Sequence, residues 1–262
     1  MPELPEVESF GRYLEKTSLN KKIEEVEVKS PELLQNIGTN DLKKNLETNR
    51  FKRTKRHGKY LFVLLNNNKW LILHFGMTGS FKCFKNPDDK PLYDRILFNF
   101  EDNSHLAFID PRKFGKIYLT SEISNFITQK KLGPDALNID LKTFKNLYNK
   151  RRGAAKSALM NQHVMAGVGN IYSDEILYQA RVHPKTSFNT LNDAKITEIF
   201  NIMKKVLNTS INKQLNGKNL PDSYLIPHRV RDGNCPDSEI KLETIKIAGR
   251  TSYYCPECQK RN

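Results

Sequence analysis

The stretch YLFVLLNNNKWLILHF, residues 60–75, holds two apolar runs, Tyr60 to Leu65 and Trp70 to Phe75, divided by Asn66-Asn67-Asn68. Runs this short, rich in Leu, Phe, Val and Ile and bounded by turn formers, are strand-length and predict an antiparallel hairpin. Downstream, Ile96 to Phe100 and His105 to Ile109 flank Asp102-Asn103-Ser104 in the same way. Successive hairpins predict an antiparallel sheet closed as a sandwich or barrel.

Working outward, residues 2 to 16 open with two prolines and three glutamates, then place Val7, Phe10 and Leu14 at helical spacing. That predicts a helix with an acidic first turn, favourable at the positive end of the helix dipole. After about residue 120 the pattern becomes helical: Leu137 to Arg151, Ala155 to Gln162, Ile171 to Ala180, and Asp193 to about Asn212. In the last of these, Ile196, Ile199, Phe200, Met203, Val206 and Leu207 form an apolar stripe read as core. A ribbon follows, Thr244 to Ala248 and Thr251 to Tyr254, with Gly249-Arg250 at its tip. The expected fold is α+β in two domains: a helix plus antiparallel β-sandwich over 1–122, a helical domain over 131–225, and the appended β-hairpin over 226–262.

Lys and Arg total 43 against 29 Asp and Glu, a formal charge of +14. Such a balance fits a polyanionic partner, nucleic acid above all, because each neutralised phosphate releases counterions, and it fits equally a basic pI that merely reflects a Lys-rich proteome. No apolar run approaches the roughly 18 residues of a membrane span, and the acidic opening differs from a targeting peptide. A soluble intracellular protein is expected, cytoplasmic and nucleoid-associated if the chain is bacterial, acting as a monomer and without a membrane. Cys83 stands alone while Cys235, Cys255 and Cys258 bunch near the end, a usage that resembles a metal site more than a disulfide framework.

The opening PELPEVE, residues 2–8, carries the sharpest chemistry. With Met1 removed, Pro2 presents a secondary amine at a helix start, where the positive dipole end favours its neutral, nucleophilic form. Attack on a sugar C1′ gives an iminium that acidifies the 2′ hydrogens and permits strand scission by elimination. Glu3 is placed to act as acid or proton shuttle, and Glu6 to join a proton relay. The plainer reading is that Pro2 and Pro5 merely start a helix.

PELPEVE, RHGKYL, HFGMTGS, DPRKFG, LGPDAL, MAGVGNIYSDE and GRTSYYCPECQK follow one another across nearly the whole chain. In that order they resemble the formamidopyrimidine-DNA glycosylase and endonuclease VIII family, and its formamidopyrimidine branch in particular. The resemblance implies a helix-two-turns-helix DNA-binding domain and a zinc-finger-like ribbon. Lys59 then matches a pocket lysine for substrate orientation and elimination, and His74 a phosphate contact. Met77, Arg112 and Phe114 match the trio that fills the duplex when a nucleotide is everted: Phe114 as wedge, Arg112 toward the widowed base, Met77 in the void. By composition alone Met77 and Phe114 would be core and Arg112 a surface charge. Gly167 and Gly169 allow close backbone approach to a phosphate, with Asn170 gripping phosphates beside the lesion. Lys156 and Arg250 match further phosphate contacts. Glu175 matches a buried acid near the active site or serves structure alone.

Two departures stand out. The family's finger is Cys-x2-Cys, sixteen residues, Cys-x2-Cys, whereas this chain reads Cys235, Ser238, Cys255, Cys258. Either three thiolates hold zinc with Asp237, His228 or water as fourth ligand, or the ribbon stands without metal on Ile245, Ile247, Tyr253 and Tyr254. The lesion-capping loop between Leu215 and Tyr224 is also short, which weakens the expectation for 8-oxoguanine relative to formamidopyrimidines.

The resemblance implies a base-excision repair glycosylase and abasic-site lyase acting through a Schiff base on Pro2, with β,δ-elimination. Its partner would be double-stranded DNA containing oxidised bases or abasic sites. The alternatives are an endonuclease VIII-like preference for oxidised pyrimidines, and a noncatalytic binder of abasic or distorted DNA.

Overall fold

The computed structural model describes residues 1–260. The chain divides into two compact units between Lys131 and Leu132. The first contains α1 (Leu4–Ser18), β1 (Ile23–Val28), α2 (Thr39–Leu46), β2 (Phe51–His57), β3 (Tyr60–Leu65), β4 (Trp70–His74), β5 (Ser80–Phe84), β6 (Asp94–Phe100), β7 (His105–Ile109), β8 (Lys116–Thr120) and α3 (Ile123–Gln129). The second contains α4 (Leu141–Tyr148), α5 (Ala155–Met160), α6 (Asn170–Gln179), α7 (Asp193–Leu215), β9 (Glu243–Ile247) and β10 (Arg250–Tyr254).

The first unit is a sandwich of two four-stranded antiparallel sheets, ordered β1-β6-β7-β5 and β2-β3-β4-β8. Leu61, Val63 and Leu65 of β3 share one core with Ile96 and Phe98 of β6 and with Val7 and Leu14 of α1. Phe62 and Ile72, on the opposite face of their sheet, pack with Tyr118 and with Phe126 of α3. Because α3 covers that face, β3 and β4 are buried on both sides and read as unbroken apolar runs rather than alternating ones. Phe10 of α1 meets Phe75, just past β4, with ring centroids 4.6 Å apart.

In the second unit every residue from Tyr172 to Tyr178 of α6 is buried, so this helix lies within the core and brings two carboxylates, Asp174 and Glu175, with it. Of the expected α7 stripe, Ile196, Ile199, Met203, Val206 and Leu207 are buried, and Phe200 is half-buried against Phe144 at 5.4 Å between centroids. The helix expected over Leu137 to Arg151 is shorter, spanning Leu141–Tyr148. Asp140 caps it, its carboxylate accepting from the Thr143 N–H at 2.7 Å. Asp135 meanwhile holds residues 137–139 in a turn by accepting from their backbone N–H groups.

The ribbon tip also differs from expectation. Ala248 and Gly249 both take left-handed φ, 47° and 72°, and form the two-residue turn, while Arg250 opens β10 opposite Ile247. Two positive φ values suit the right-handed twist of the flanking strands.

Candidate active site and nucleic-acid interface

At the start of α1, Glu3 is fully buried and its backbone N–H donates to Glu6 Oε2 at 2.8 Å, the reach-back arm of a capping box. Pro2 is half-buried and immediately precedes this cap. The bond satisfies an orphan helix donor and fixes the direction in which the chain enters the helix, and with it the place of Pro2.

Arg56 links this helix to Lys59. Its side chain is 6% exposed, its Nε donates to Glu8 Oε2 of α1 at 3.0 Å, and its Nη1 donates to the Gly58 carbonyl at 3.1 Å, in the turn that presents Lys59. Lys59 is 9% exposed. The basic run 50–59 is therefore not one solvated face: Arg56 turns inward, while Arg53 and Lys55 lie over Trp70 at 5.5 and 5.9 Å. Sequence reasoning missed Arg56, since a charge run carries no sign of which member will turn inward.

β-Sheet register puts His74 opposite Tyr60 on one side and Lys116 on the other. Burial, then the nearby charges of Lys59, Lys116 and Lys130, lower the His74 pKa to about 4. His74 Nδ1 accepts from the Gly76 N–H at 3.2 Å. A neutral imidazole accepting at Nδ1 carries its proton on Nε2, so this ring offers a neutral Nε2–H donor beside Lys59.

Met77 and Phe114 are 37% and 48% exposed, contrary to the core placement composition alone would give them. Arg112 is exposed, with its guanidinium 4.8 Å from the Phe114 ring centroid. The loops carrying these residues are locked together. Gly76 sits at φ 58°, and a Cβ there would fall 2.5 Å from the Phe114 carbonyl carbon, so only glycine lets the backbones approach. Asp110, fully buried, accepts from Thr78 Oγ1 at 2.6 Å and from the Gly115 N–H at 2.6 Å. Asp110 and Thr78 thus fasten the Met77 turn to the 110–115 turn. Each stood inside a quoted motif without an assigned role.

In the second unit, Gly167 at φ 122° opens the turn ahead of α6. Gln162 staples that turn, accepting from the Gly167 N–H at 3.0 Å and donating to the Val168 carbonyl at 2.7 Å. Asn170 is the first residue of α6, and its buried Oδ1 has no hydrogen-bond partner among the described residues. Oδ1 is an acceptor, so a phosphate would have to meet the Nδ2 donor of the same amide. Arg250 is exposed at the base of the hairpin turn.

Lys156, expected at a phosphate, is instead fully buried, its Nζ 2.5 Å from Asp174 Oδ1. An ammonium so enclosed does not meet DNA directly. Glu175 is also fully buried, accepting from Gln179 Nε2 and from the Ile226 N–H, each at 2.8 Å. Burial raises its pKa to about 7, against these hydrogen bonds and the Arg229 charge, which lower it.

The sulfurs of Cys235, Cys255 and Cys258 lie within 4.8 Å of one another. Cys235 and Cys258 Sγ are 3.8 Å apart, and Ser238 Oγ is 3.4 Å from Cys255 Sγ. Zn–S bonds of about 2.3 Å and Zn–O bonds of about 2.0–2.2 Å give tetrahedral edges of about 3.8 Å between sulfurs and about 3.5–3.7 Å between sulfur and oxygen. The three thiols are close enough together to hold a soft divalent cation, and the Ser238 hydroxyl lies beside one of them, Cys255. The other candidates for a fourth ligand are engaged elsewhere: Asp237 pairs with Arg181, and His228 Nε2 lies 2.9 Å from the Asp222 carbonyl.

A helix-capped β-sandwich, joined in sequence to a helical unit ending in a hairpin that carries a cysteine cluster, is the architecture of DNA glycosylases of the helix-two-turns-helix class. Residues 1–117 match the formamidopyrimidine-DNA glycosylase N-terminal domain and residues 132–220 the corresponding H2TH domain. The formamidopyrimidine-DNA glycosylase of Mycoplasma mobile is 31% identical over 277 residues, and that of Streptococcus pneumoniae 34% over 278, each covering 100% of both chains. The Lactococcus lactis enzyme bound to DNA containing N7-benzyl-Fapy-dG superposes with a TM-score of 0.88 at 30% identity, covering 99% of this chain and 100% of that one. The chain belongs to the formamidopyrimidine-DNA glycosylase family.

Among the described residues, no helix is long and apolar enough to cross a membrane.

Proposed function

We propose that this chain is a bifunctional repair enzyme that excises oxidised purines, formamidopyrimidines foremost, from duplex DNA and then cuts the strand at the abasic site. The reading requires loss of Met1, so that Pro2 carries the terminal amine. The observation that carries it is the placement of Pro2 directly before the Glu3–Glu6 capping box, on a helix tied through Arg56 to the turn of Lys59.

The Pro2 nitrogen attacks C1′ of the everted nucleotide, and the glycosidic bond breaks with its electron pair leaving on the base, which takes up a proton. Glu3 serves as acid and proton shuttle, with Glu6 in the relay. Opening of the sugar leaves an iminium between Pro2 and C1′. Loss of a 2′ proton expels the 3′ phosphate, and a second elimination expels the 5′ phosphate; water then frees Pro2. Lys59 orients the sugar-phosphate and assists elimination. His74, Asn170 and Arg250 hold backbone phosphates, and Met77, Arg112 and Phe114 fill the gap left by the everted nucleotide. Zinc held by Cys235, Cys255 and Cys258 would brace the hairpin that carries Arg250, a structural role in which the metal takes no part in the reaction.

The relatives named above support this reading, as does the Lactococcus lactis enzyme bound to abasic-site DNA, which superposes with a TM-score of 0.86. Borohydride reduction on lesion duplexes followed by peptide mapping tests it. A covalent adduct on Pro2, lost in Pro2→Gly together with scission, is the expected result. An adduct on another residue, or full scission by Pro2→Gly, rejects the mechanism. Adduct yields across formamidopyrimidine, 8-oxoguanine and oxidised-pyrimidine duplexes rank the substrates.

A further inference from the structure

Asp174 is a fully buried carboxylate that accepts from five donors. Oδ1 takes Lys156 Nζ at 2.5 Å and Ser252 Oγ at 2.6 Å. Oδ2 takes Arg229 Nε at 3.1 Å, Arg229 Nη2 at 2.8 Å and the Tyr253 N–H at 3.1 Å. Lys156 in turn reaches the carbonyls of Asn170 at 3.3 Å and Thr251 at 3.5 Å. One ion pair thus touches the first residue of α6 and the residue that follows Arg250 on the ribbon.

Burying such a pair is a poor device for stability alone, since an apolar pair of similar volume often serves as well or better. What charge adds is a defined geometry: the ammonium and carboxylate hold their partners only in one arrangement. Groups that receive a rigid polyanion must be set to within about 0.5 Å, and supporting residues do that setting.

We infer that Asp174, with Lys156, is a positioning residue that sets the Asn170 helix start and the Arg250 strand relative to one another, so that both meet the backbone of one DNA strand. This rests on the proposal that Asn170 and Arg250 hold phosphates. Lys156 acts through the two groups it spans and touches no phosphate itself.

The test measures binding of a duplex containing a tetrahydrofuran abasic analogue as a function of salt, together with Tm and steady-state kinetics. The variants are Asn170→Ala, Arg250→Ala, Asp174→Asn and Ser252→Ala. Arg250→Ala should lower the slope of log K against log salt by about 1, equivalent to roughly tenfold weaker binding at ~0.1 M salt. Asp174→Asn should match or exceed that loss, raising KM while kcat holds, because phosphate contacts are made equally in the ground and transition states. Ser252→Ala, which keeps the ion pair and removes one 2.6 Å bond, should shift binding in the same direction by a smaller factor, and it keeps the test decisive if Asp174→Asn fails to fold.

Unchanged binding in both Asn170→Ala and Arg250→Ala removes the phosphate reading and the inference with it. If those two bind weakly while folded Asp174→Asn or Ser252→Ala keeps the wild-type slope and KM, the positioning role is overturned, whatever the change in Tm.

Discussion

Thr78 Oγ1 donates a 2.6 Å hydrogen bond to Asp110 Oδ1, while the other oxygen of that carboxylate accepts from the Gly115 N–H, so one buried side chain holds two turns of the first unit in register. The Arg112 N–H also points to Thr78 Oγ1, at 3.4 Å. Met77 lies beside Thr78, and Arg112 and Phe114 lie between the two anchors of the second turn. These three exposed side chains are thereby presented from a frame that does not depend on their own contacts.

Asp110→Ala removes both acceptors, leaving the buried Gly115 N–H without a partner and Thr78 unanchored. The expected loss is about 1–3 kcal/mol of stability, the cost of an unsatisfied buried group. Eversion of the lesion nucleotide should slow as the wedge loosens, read by stopped-flow fluorescence of 2-aminopurine beside the lesion. A variant with lowered Tm and wild-type eversion kinetics would limit Asp110 to structure.

His74 is held neutral by burial and by the Lys59, Lys116 and Lys130 charges, with its pKa near 4 against 6.5 for a free histidine. The unfolded chain takes up a proton at this position from pH 6.5 downward, but the folded chain does so only near pH 4. Stability is therefore full above pH 6.5 and falls by up to roughly 3 kcal/mol as acid approaches pH 4. His74→Gln should flatten that part of the acid limb in thermal unfolding, and as a neutral donor should retain more DNA binding than His74→Ala. Nitrogen NMR should report the Nε2–H tautomer at pH 6; an imidazolium there would contradict the assignment.

The parts of the molecule legible from its sequence are those whose signal is local. β3 and β4 could be read because both faces are buried, which leaves apolar runs bounded by turn residues. β1 and β2 could not. Each is an edge strand, and their sequences, IEEVEV and FKRTKRH, carry charges that suit an edge facing solvent and give no apolar alternation. α3 escaped notice because its single buried side chain, Phe126, makes no stripe. Met77, Arg112, Phe114 and Asn170 were singled out through motif resemblance, while the residues that fix their turns were not. Asp110, Arg56 and Asp174 act through partners brought close by the fold, such as Thr78, Glu8 and Ser252, and sequence spacing is silent about such pairs. Lys156 was misplaced for the same reason, because Asp174, which claims it, lies 18 residues away.

Glu175 has the opposite titration sign to His74. Its folded pKa near 7 lies above the free value of 4.5, so its stabilising effect is complete below pH 4.5 and is lost as pH rises to about 7. Glu175→Gln keeps an acceptor for the Ile226 N–H without the buried charge. Relative to wild type it should gain up to roughly 3 kcal/mol above pH 7 and little below pH 4.5, in paired denaturant titrations. Equal stability differences at both ends of that range would show that Glu175 is not titrating in the folded chain.

The cysteine cluster makes the last prediction. The three sulfurs lie within 4.8 Å of one another with the Ser238 hydroxyl beside Cys255, and the hydroxyl is the weak member because a neutral serine is a poorer zinc ligand than a thiolate. Ser238→Cys should restore a fourth thiolate and slow zinc transfer to a chelator. Cys258→Ser, with two thiolates left, should hold zinc too weakly to survive dialysis. Cobalt(II) substitution provides a readout separate from activity, since thiolate-to-cobalt charge-transfer bands should strengthen from Cys258→Ser through wild type to Ser238→Cys. Metal removal from wild type should weaken binding of all duplexes alike, because the contacts proposed for Arg250 are to phosphates, which carry no sequence information. If wild type purified and reconstituted with zinc or cobalt shows no thiolate-bound metal, the ribbon stands on the packing of Tyr178, Leu225 and Leu242 around the cysteines.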